Sequence, residues 1–109
     1  MRPASDYLLV LSTCPNVAVA EDIATELLNK RLVACVNMIP GVISMYHWQG
    51  AVQKDQEVVL LMKTQHDDYD ALQDALRRVH PYELPEIIAV SLENALPAYL
   101  SWISDSVTK

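Results

Sequence analysis

Residues 42–62 read VISMYHWQGAVQKDQEVVLLM, and this stretch decides which fold the chain can adopt. Gln49-Gly50 is a turn signal between two segments rich in apolar and aromatic residues, so it predicts a β-hairpin. The second arm runs from about Ala51 to Thr64, with Val58 to Met62 as its buried centre. Strands usually have about five or six residues, and each arm here extends roughly twice as far. A hairpin this long overhangs a small sheet, so we expect a neighbouring subunit to cover it.

The segments around the hairpin predict a mixed α+β domain. In chain order they are a strand at Tyr7–Leu11, a helix capped by Asn16, a strand at Val33–Ile39 resumed at Val42–Trp48, the second hairpin arm, a helix from Tyr69 to Val79, a strand at Glu86–Leu92, and a final helix opened by Pro97 that carries Trp102. The order β-α-β-β-α-β is the ferredoxin-like arrangement, and its usual strand order is 4-1-3-2 in an antiparallel sheet.

Two local patterns refine this prediction. Ala20, Ile23, Ala24, Leu27, Leu28 and Leu32 recur at helical spacing and indicate one buried stripe on the first helix, with Lys30 and Arg31 suited to its C-terminal dipole. Proline cannot donate to a central strand ladder, so Pro40-Gly41 predicts a bulge or kink in a strand at the sheet edge.

Size and charge limit the classes of function. The chain has 109 residues, which predicts one domain over 1–109, and we expect residues 1–5 to be flexible. The net charge of −6 disfavours nucleic acid as a partner, since an acidic surface repels phosphates. No apolar run is long enough for a signal-peptide core or a membrane span, so we expect a cytoplasmic protein without a membrane partner. In that compartment Cys14 and Cys35 are expected to be free thiols.

Several segments in a fixed order resemble the CutA divalent-cation tolerance family over nearly the full chain. They are VLSTCPN, KRLVACVNMIPGV, SMYHWQG, EVVLLMKT, HPYELPEIIAV and YLSW. The resemblance implies a ferredoxin-like homotrimer with a role in tolerance to copper and other divalent cations. It also implies an architecture similar to that of the PII signalling proteins, which bind small ligands between subunits.

Sulfur and imidazole ligands suit copper and zinc, but the chain has no CxxC, HxxxH or HExxH spacing. In a 4-1-3-2 sheet the end of strand 1 should lie near His80, which brings Cys14 within reach of this imidazole. The family's proposed copper ligands are a cysteine and two consecutive histidines, at positions that read Ser12 and Val79-His80 here. We therefore predict weak binding of Cu²⁺ or a similar ion by Cys14 and His80. The alternative is that Cys14 fills the core and His80 ends a helix.

A second candidate site is a cleft between subunits. Tyr46 and Trp48 share one face of the hairpin because residues two apart in a strand point the same way, and Glu57 and Lys63 share a face of the next strand. By the same parity, His47 should point away from its aromatic neighbours. The predicted cleft or interface residues are Tyr46, Trp48, Glu57, Lys63, Tyr82, Glu83, Glu86 and Trp102. They form either an aromatic, ion-paired subunit contact or the lining of a ligand pocket.

Motifs for catalysis do not occur in the sequence. There is no GxSxG, and Gly41 and Gly50 are too few for a glycine-rich phosphate loop. We therefore expect no enzymatic activity and no organic cofactor. The leading hypothesis is a trimeric cation-tolerance protein, and the alternative is a PII-like signalling or scaffold module that binds a small ligand or a partner protein between subunits.

Overall fold

A four-stranded antiparallel sheet forms the centre of the structure, a computed structural model that describes residues 2–109. Its elements are a 3-10 turn (Ala4–Asp6), β1 (Tyr7–Cys14), α1 (Val17–Asn29), β2 (Cys35–Trp48), β3 (Ala51–Gln65), a second 3-10 turn (His66–Asp68), α2 (Tyr69–Val79), β4 (Ile87–Ser91) and α3 (Pro97–Val107). The strand order is β2-β3-β1-β4, which read from the β4 edge is 4-1-3-2. The predicted α+β architecture with an added C-terminal helix is confirmed.

The main core lies between one face of the sheet and helices α1 and α2. Alternate residues of the two central strands point into it, because side chains alternate between the faces of a strand. The fully buried side chains of this core include Val10, Cys14, Ile23, Leu27, Leu60, Met62, Leu72 and Leu76. The other residues of these strands, which include Thr13, Glu57 and Lys63, therefore point to the opposite face of the sheet, here called the outer face.

Asn16 begins α1 as predicted. Its side-chain oxygen Oδ1 accepts a hydrogen bond from the backbone N–H of Val19 at 2.9 Å, which satisfies one of the free donors of the first turn. The predicted buried stripe is confirmed at Ala20, Ile23, Ala24 and Leu27. Leu28, however, is 42 % exposed, so its assignment to the buried stripe was wrong. Leu28 follows Leu27 directly, and adjacent helical residues do not face the same way.

The C-terminus of α1 is shorter than the apolar pattern predicted. Arg31 lies in the left-handed region with φ 55° and donates its N–H to the Leu28 carbonyl, while the N–H of Leu32 reaches the Leu27 carbonyl. These two bonds form a Schellman motif, which ends the helix before Leu32. Leu32 lies in the loop beyond the end of the helix, and its side chain is buried in the core.

The hairpin has the predicted turn and the predicted irregularity. Gln49 and Gly50 both have positive φ, which confirms the turn. The register between β2 and β3 shifts between Ile39 and Val42, which confirms the bulge at Pro40-Gly41. β2 is nevertheless one continuous strand that begins at Cys35, two residues later than predicted. It is an edge strand, where an unpaired proline nitrogen is tolerated.

Helix α3 forms a second, smaller apolar cluster. Leu100 and Ile103 pack with Tyr7 of β1, and the hydroxyl groups of Tyr7 and Ser104 lie 2.6 Å apart. β4 is one residue shorter at each end than predicted, although the N–H of Leu92 still bonds to the Tyr7 carbonyl.

The N-terminal segment contacts the sheet through Arg2. The guanidinium donates to Gln65 at 2.7 Å and to Asp67 at 3.0 Å, and it lies over the Tyr7 ring at 5.8 Å. Met1 lies outside the described residues, and the flexibility expected for residues 1–5 stays a prediction.

The cap of α1 gives a first test of the fold. Asn16→Ala removes the acceptor for Val19 and should lower the free energy of unfolding by about 1 kcal/mol per chain. Asn16→Gly should lower it by only a few tenths of that, since glycine lets water reach the same N–H. Guanidinium unfolding followed by circular dichroism at fixed protein concentration measures both, and an unchanged stability in Asn16→Ala would contradict a cap contribution from the side chain.

Candidate functional site

A groove of about 670 Å³ lies beside the end of β1, between the hairpin and the loop that leads to β4. Its lining residues come from three segments of the chain: Thr13 of β1; Ser44, Met45, Tyr46, His47, Trp48 and Glu57 of the hairpin; and Pro81, Tyr82, Glu83, Leu84 and Glu86 of the loop. The lining of the groove therefore contains three aromatic rings and three carboxylates, and the size of the groove is typical of small-molecule sites.

Six of the eight residues predicted for the cleft line this groove, and two do not. Lys63 lies farther along β3, where its Nζ donates to Asn37 Oδ1 and lies 3.8 Å from the Cys35 sulfur. Trp102 lies on α3, with its ring 5.4 Å from the Tyr99 ring. The sequence placed both residues in the predicted cleft set from the pattern of their strand or helix alone. Such a pattern predicts which face a side chain lies on, but not how far along the element it lies. Whether the six act in ligand binding or in subunit contact stays a prediction.

Glu57 and Tyr82 form the most buried polar contact of the groove. The Tyr82 hydroxyl donates to Glu57 Oε2 at 2.6 Å, and Glu57 is only 7 % exposed. Burial, and then the hydrogen bond to Glu57, raises the pKa of Tyr82 far above its usual value, because both disfavour the phenolate. Tyr82 is therefore a neutral donor to this carboxylate at any physiological pH.

Asp55 is a polar residue near the groove that the sequence did not reveal. The Tyr46 hydroxyl donates to Asp55 Oδ2, and this hydrogen bond raises the pKa of Tyr46. The register pairs Asp55 with Ser44, and Tyr46 is the next residue on the same face of β2. The pairing could have been found by counting back from the Gln49-Gly50 turn. His47 also lines the groove, and the register pairs it with Val52 on the ribbon face opposite Tyr46 and Trp48, as strand parity predicts.

His80 connects the end of β1 to the loop of the groove. Its Nε2 donates to the carbonyl of Thr13 at 2.7 Å, and its Nδ1 accepts from the backbone N–H of Tyr82 at 3.1 Å. The predicted proximity of His80 to the end of strand 1 is thus observed. Both ring nitrogens already have hydrogen-bond partners, and a metal ion would have to replace one of them.

Cys14 follows Thr13, the residue that His80 contacts, and its thiol is buried. Its sulfur points into the core and donates to the Asn16 carbonyl at 3.6 Å, and burial raises the pKa of the thiol. Ser12, at the position of the family's cysteine, is fully buried, and its Oγ has no hydrogen-bond partner among residues 2–109. Within the same residues, no group of three or more His, Cys, Asp or Glu side chains could hold a metal ion. Cys14 and His80 are therefore at most two donors of an incomplete ligand set.

The fold and the groove define a class: a small α+β protein with an antiparallel sheet, a projecting hairpin and an aromatic, acidic groove at its base. The family model described as CutA1 divalent ion tolerance protein matches residues 8–106. This chain therefore belongs to the CutA1 family, as its sequence motifs suggested.

Individual relatives agree with this assignment. The divalent-cation tolerance protein CutA of Thermus thermophilus is 42 % identical over 98 residues, which cover 90 % of this chain and 95 % of the relative. The crystal structure of CutA from Xylella fastidiosa is 44 % identical, has a TM-score of 0.92 and is matched over 95 % of this chain and 100 % of that chain. Vertebrate relatives are longer, since this chain spans 63 % of the CutA homolog of Xenopus laevis and 51 % of mouse CutA.

The name of one relative states a cell location. A CutA structure from Archaeoglobus fulgidus, 32 % identical with a TM-score of 0.91 over 94 % of this chain and 99 % of that chain, is named a periplasmic divalent cation tolerance protein. No helix within residues 2–109 is long and apolar enough to cross a membrane. The cytoplasmic location expected from the sequence stays a prediction.

The Glu57–Tyr82 contact predicts a difference between two tyrosines. Tyr82→Phe leaves a buried carboxylate without its hydroxyl donor and should lower the free energy of unfolding by about 1–3 kcal/mol. Tyr46→Phe removes a donor to the exposed Asp55 and should lower it by no more than about 1 kcal/mol. Guanidinium unfolding at one protein concentration compares the two variants. Equal effects would show that Glu57 does not depend on Tyr82.

Proposed function

We propose that this chain acts in tolerance to divalent cations as a non-enzymatic homotrimer. The observation that carries the proposal is the unsupported hairpin. β1 pairs with β3 only from Gln65 to Val58, so residues 51–57 of β3 pair with β2 alone. A two-stranded ribbon in water is at best marginally stable, and it needs a further layer to persist. The longest dimension of the chain, 48 Å against 26 and 23 Å, reflects this projection.

Apolar side chains on the ribbon favour a protein layer as that support. Met45 is 67 % exposed and Val52 is 62 % exposed, and Ile43 is also exposed on the same ribbon. On the outer face of the sheet, Ile88 and Val90 of the edge strand β4 are about half exposed as well. The register puts Ile43, Met45 and Val52 on one face of the ribbon, and soluble monomers rarely leave a large contiguous apolar patch in water. A second and a third copy of the chain, each contributing the same surfaces, would cover the ribbon and β4 together.

The cation role follows from family membership, and Cys14 and His80 are the ligands we propose for copper or a similar ion. Sulfur and imidazole suit such ions, and His80 lies at the end of β1 as the proposal requires. Binding must deprotonate a buried thiol and release one hydrogen bond of His80. Both requirements work against the ion, so the expected affinity is weak.

A second function is favoured by the groove itself. Its aromatic and acidic lining fits a PII-like module that binds a small ligand or a partner at the subunit boundary. In this case the trimer would be the scaffold, and cation tolerance would be an indirect result of signalling.

The assembly predicts that charge on the ribbon prevents association. Met45→Lys should reduce or abolish the trimer at micromolar concentration, because the ammonium would be buried against a neighbouring copy. Leu28→Lys, on the exposed side of α1, is the matched control and should leave the trimer intact. Light scattering after size-exclusion chromatography measures the mass. A wild-type monomer, or a trimer unaffected by Met45→Lys, would refute the proposed assembly.

The metal site predicts a selective loss of binding. Calorimetric titration with Zn²⁺ and Cu²⁺ should show weak binding that falls at least tenfold in His80→Ala and in Cys14→Ser. His66→Ala, which removes an exposed imidazole from the turn before α2, should bind as wild type does. Circular dichroism confirms that each variant is folded. The same affinity in all four proteins would exclude Cys14 and His80 as the ligands.

A further inference from the structure

Glu57 is a buried carboxylate without a cationic partner among residues 2–109. It is 7 % exposed, and its one hydrogen bond within residues 2–109 comes to Oε2 from the neutral hydroxyl of Tyr82. Its second oxygen, Oε1, accepts no hydrogen bond in that part of the chain but is still reached by solvent, and Glu57 takes part in none of the ion pairs described there. Glutamate is almost never this buried unless it is paired, since desolvating a charge costs several kcal/mol. Glu57 lines the groove, so a partner for it can come from there.

The rest of the lining selects a cation as that partner. Glu83 and Glu86 add two more carboxylates, and the lining contains no lysine or arginine. Tyr46, Trp48 and Tyr82 provide aromatic faces, which attract ammonium groups through the quadrupole of the ring. The chain's net charge of −6 adds a long-range attraction for positive ligands.

The spacing of the carboxylates favours an extended organic cation over a metal ion. A divalent metal needs several oxygen or nitrogen donors that converge on one point. No three acidic, cysteine or histidine side chains of residues 2–109 converge in this way, so the three glutamates of the groove do not meet at one point. Separated carboxylates match separated charges on a chain. At about 670 Å³, the groove is large enough for such a molecule.

From these observations we propose that the groove binds linear organic polycations of the polyamine class, with one ammonium group at Glu57 and Tyr82 and a second toward Glu83 and Glu86. The methylene segments between the ammonium groups lie against the rings of Tyr46 and Trp48. The inference rests on the groove function proposed above and deepens it, since the residues named here all belong to one chain.

Spermidine is the probe for this site. A Trp102→Phe background leaves Trp48 as the only tryptophan, so its fluorescence reports on the groove directly. Spermidine should change this fluorescence saturably and should give a matching calorimetric isotherm. 1,8-Octanediol, which has a similar length without charge, should do neither. Equal ionic strength supplied as MgCl₂ should leave most of the spermidine affinity in place.

Two matched variants distinguish binding at a specific site from general electrostatic attraction to an acidic protein. Glu57→Gln should weaken spermidine binding at least tenfold, whereas Glu21→Gln removes the same charge from the exposed face of α1 and should change it less than twofold. Equal losses in the two variants, complete displacement by MgCl₂, or no binding by the wild type would each overturn the proposal.

Light scattering on the same samples measures the oligomeric state, so the test of spermidine binding can be judged separately from the proposed trimer. Spermidine binding by a wild-type monomer supports the groove and refutes the trimer. A wild-type trimer that does not bind spermidine supports the assembly and refutes the groove. A basic side chain from a neighbouring copy that fills the groove would produce this second result.

Discussion

β3 has 15 residues and its central partner β1 has eight, and this difference in length shapes the rest of the molecule. Where the two strands run together, the sheet is covered by α1 and α2 and the core is closed. Where β1 ends, β3 continues with only β2 beside it, and neither helix reaches that part of the hairpin with a buried contact. The apolar side chains of the ribbon then have no cover from their own chain. Oligomerisation is the general solution to this problem in small proteins.

The same mismatch creates the groove. The last pair between β1 and β3 joins Cys14 to Val58, and Glu57 is the first residue of β3 beyond it. The carboxylate of Glu57 is shielded from water by the end of the sheet, but β1 does not extend far enough to lie next to it. The loop after α2 fills part of that space, because His80 fixes it to Thr13 and Tyr82 then reaches Glu57. Glu57 is therefore buried because β3 extends beyond β1 and because His80 holds the loop that covers it.

The sequence predicted the fold well because its signals are local. Gln49-Gly50, Pro40-Gly41 and Asn16 each require a particular backbone geometry, and each stands where predicted. The end of α1 before Leu32 was missed because the left-handed residue that ends the helix is Arg31 and not a glycine. Strand and helix patterns also did not show that Lys63 and Trp102 lie away from the groove, and their part in a subunit interface stays a prediction. Parity gives the face on which a side chain lies, but distance along a twisted hairpin depends on the three-dimensional register. The Tyr46–Asp55 pair was missed for a different reason, since counting back from the Gln49-Gly50 turn would have given its register.

His80 joins the two proposed sites, so they cannot be independent. An ion that takes Nδ1 of His80 displaces the N–H of Tyr82, and one that takes Nε2 displaces the Thr13 carbonyl. Either change loosens the loop that presents Tyr82 to Glu57. A cation bound at Glu57 has the opposite effect, because it favours the arrangement in which Tyr82 and His80 keep their bonds. By linkage, each ligand must then weaken the other by the same factor. A soft metal ion and an organic cation would therefore compete through a hydrogen-bond chain, although they share no ligand atom.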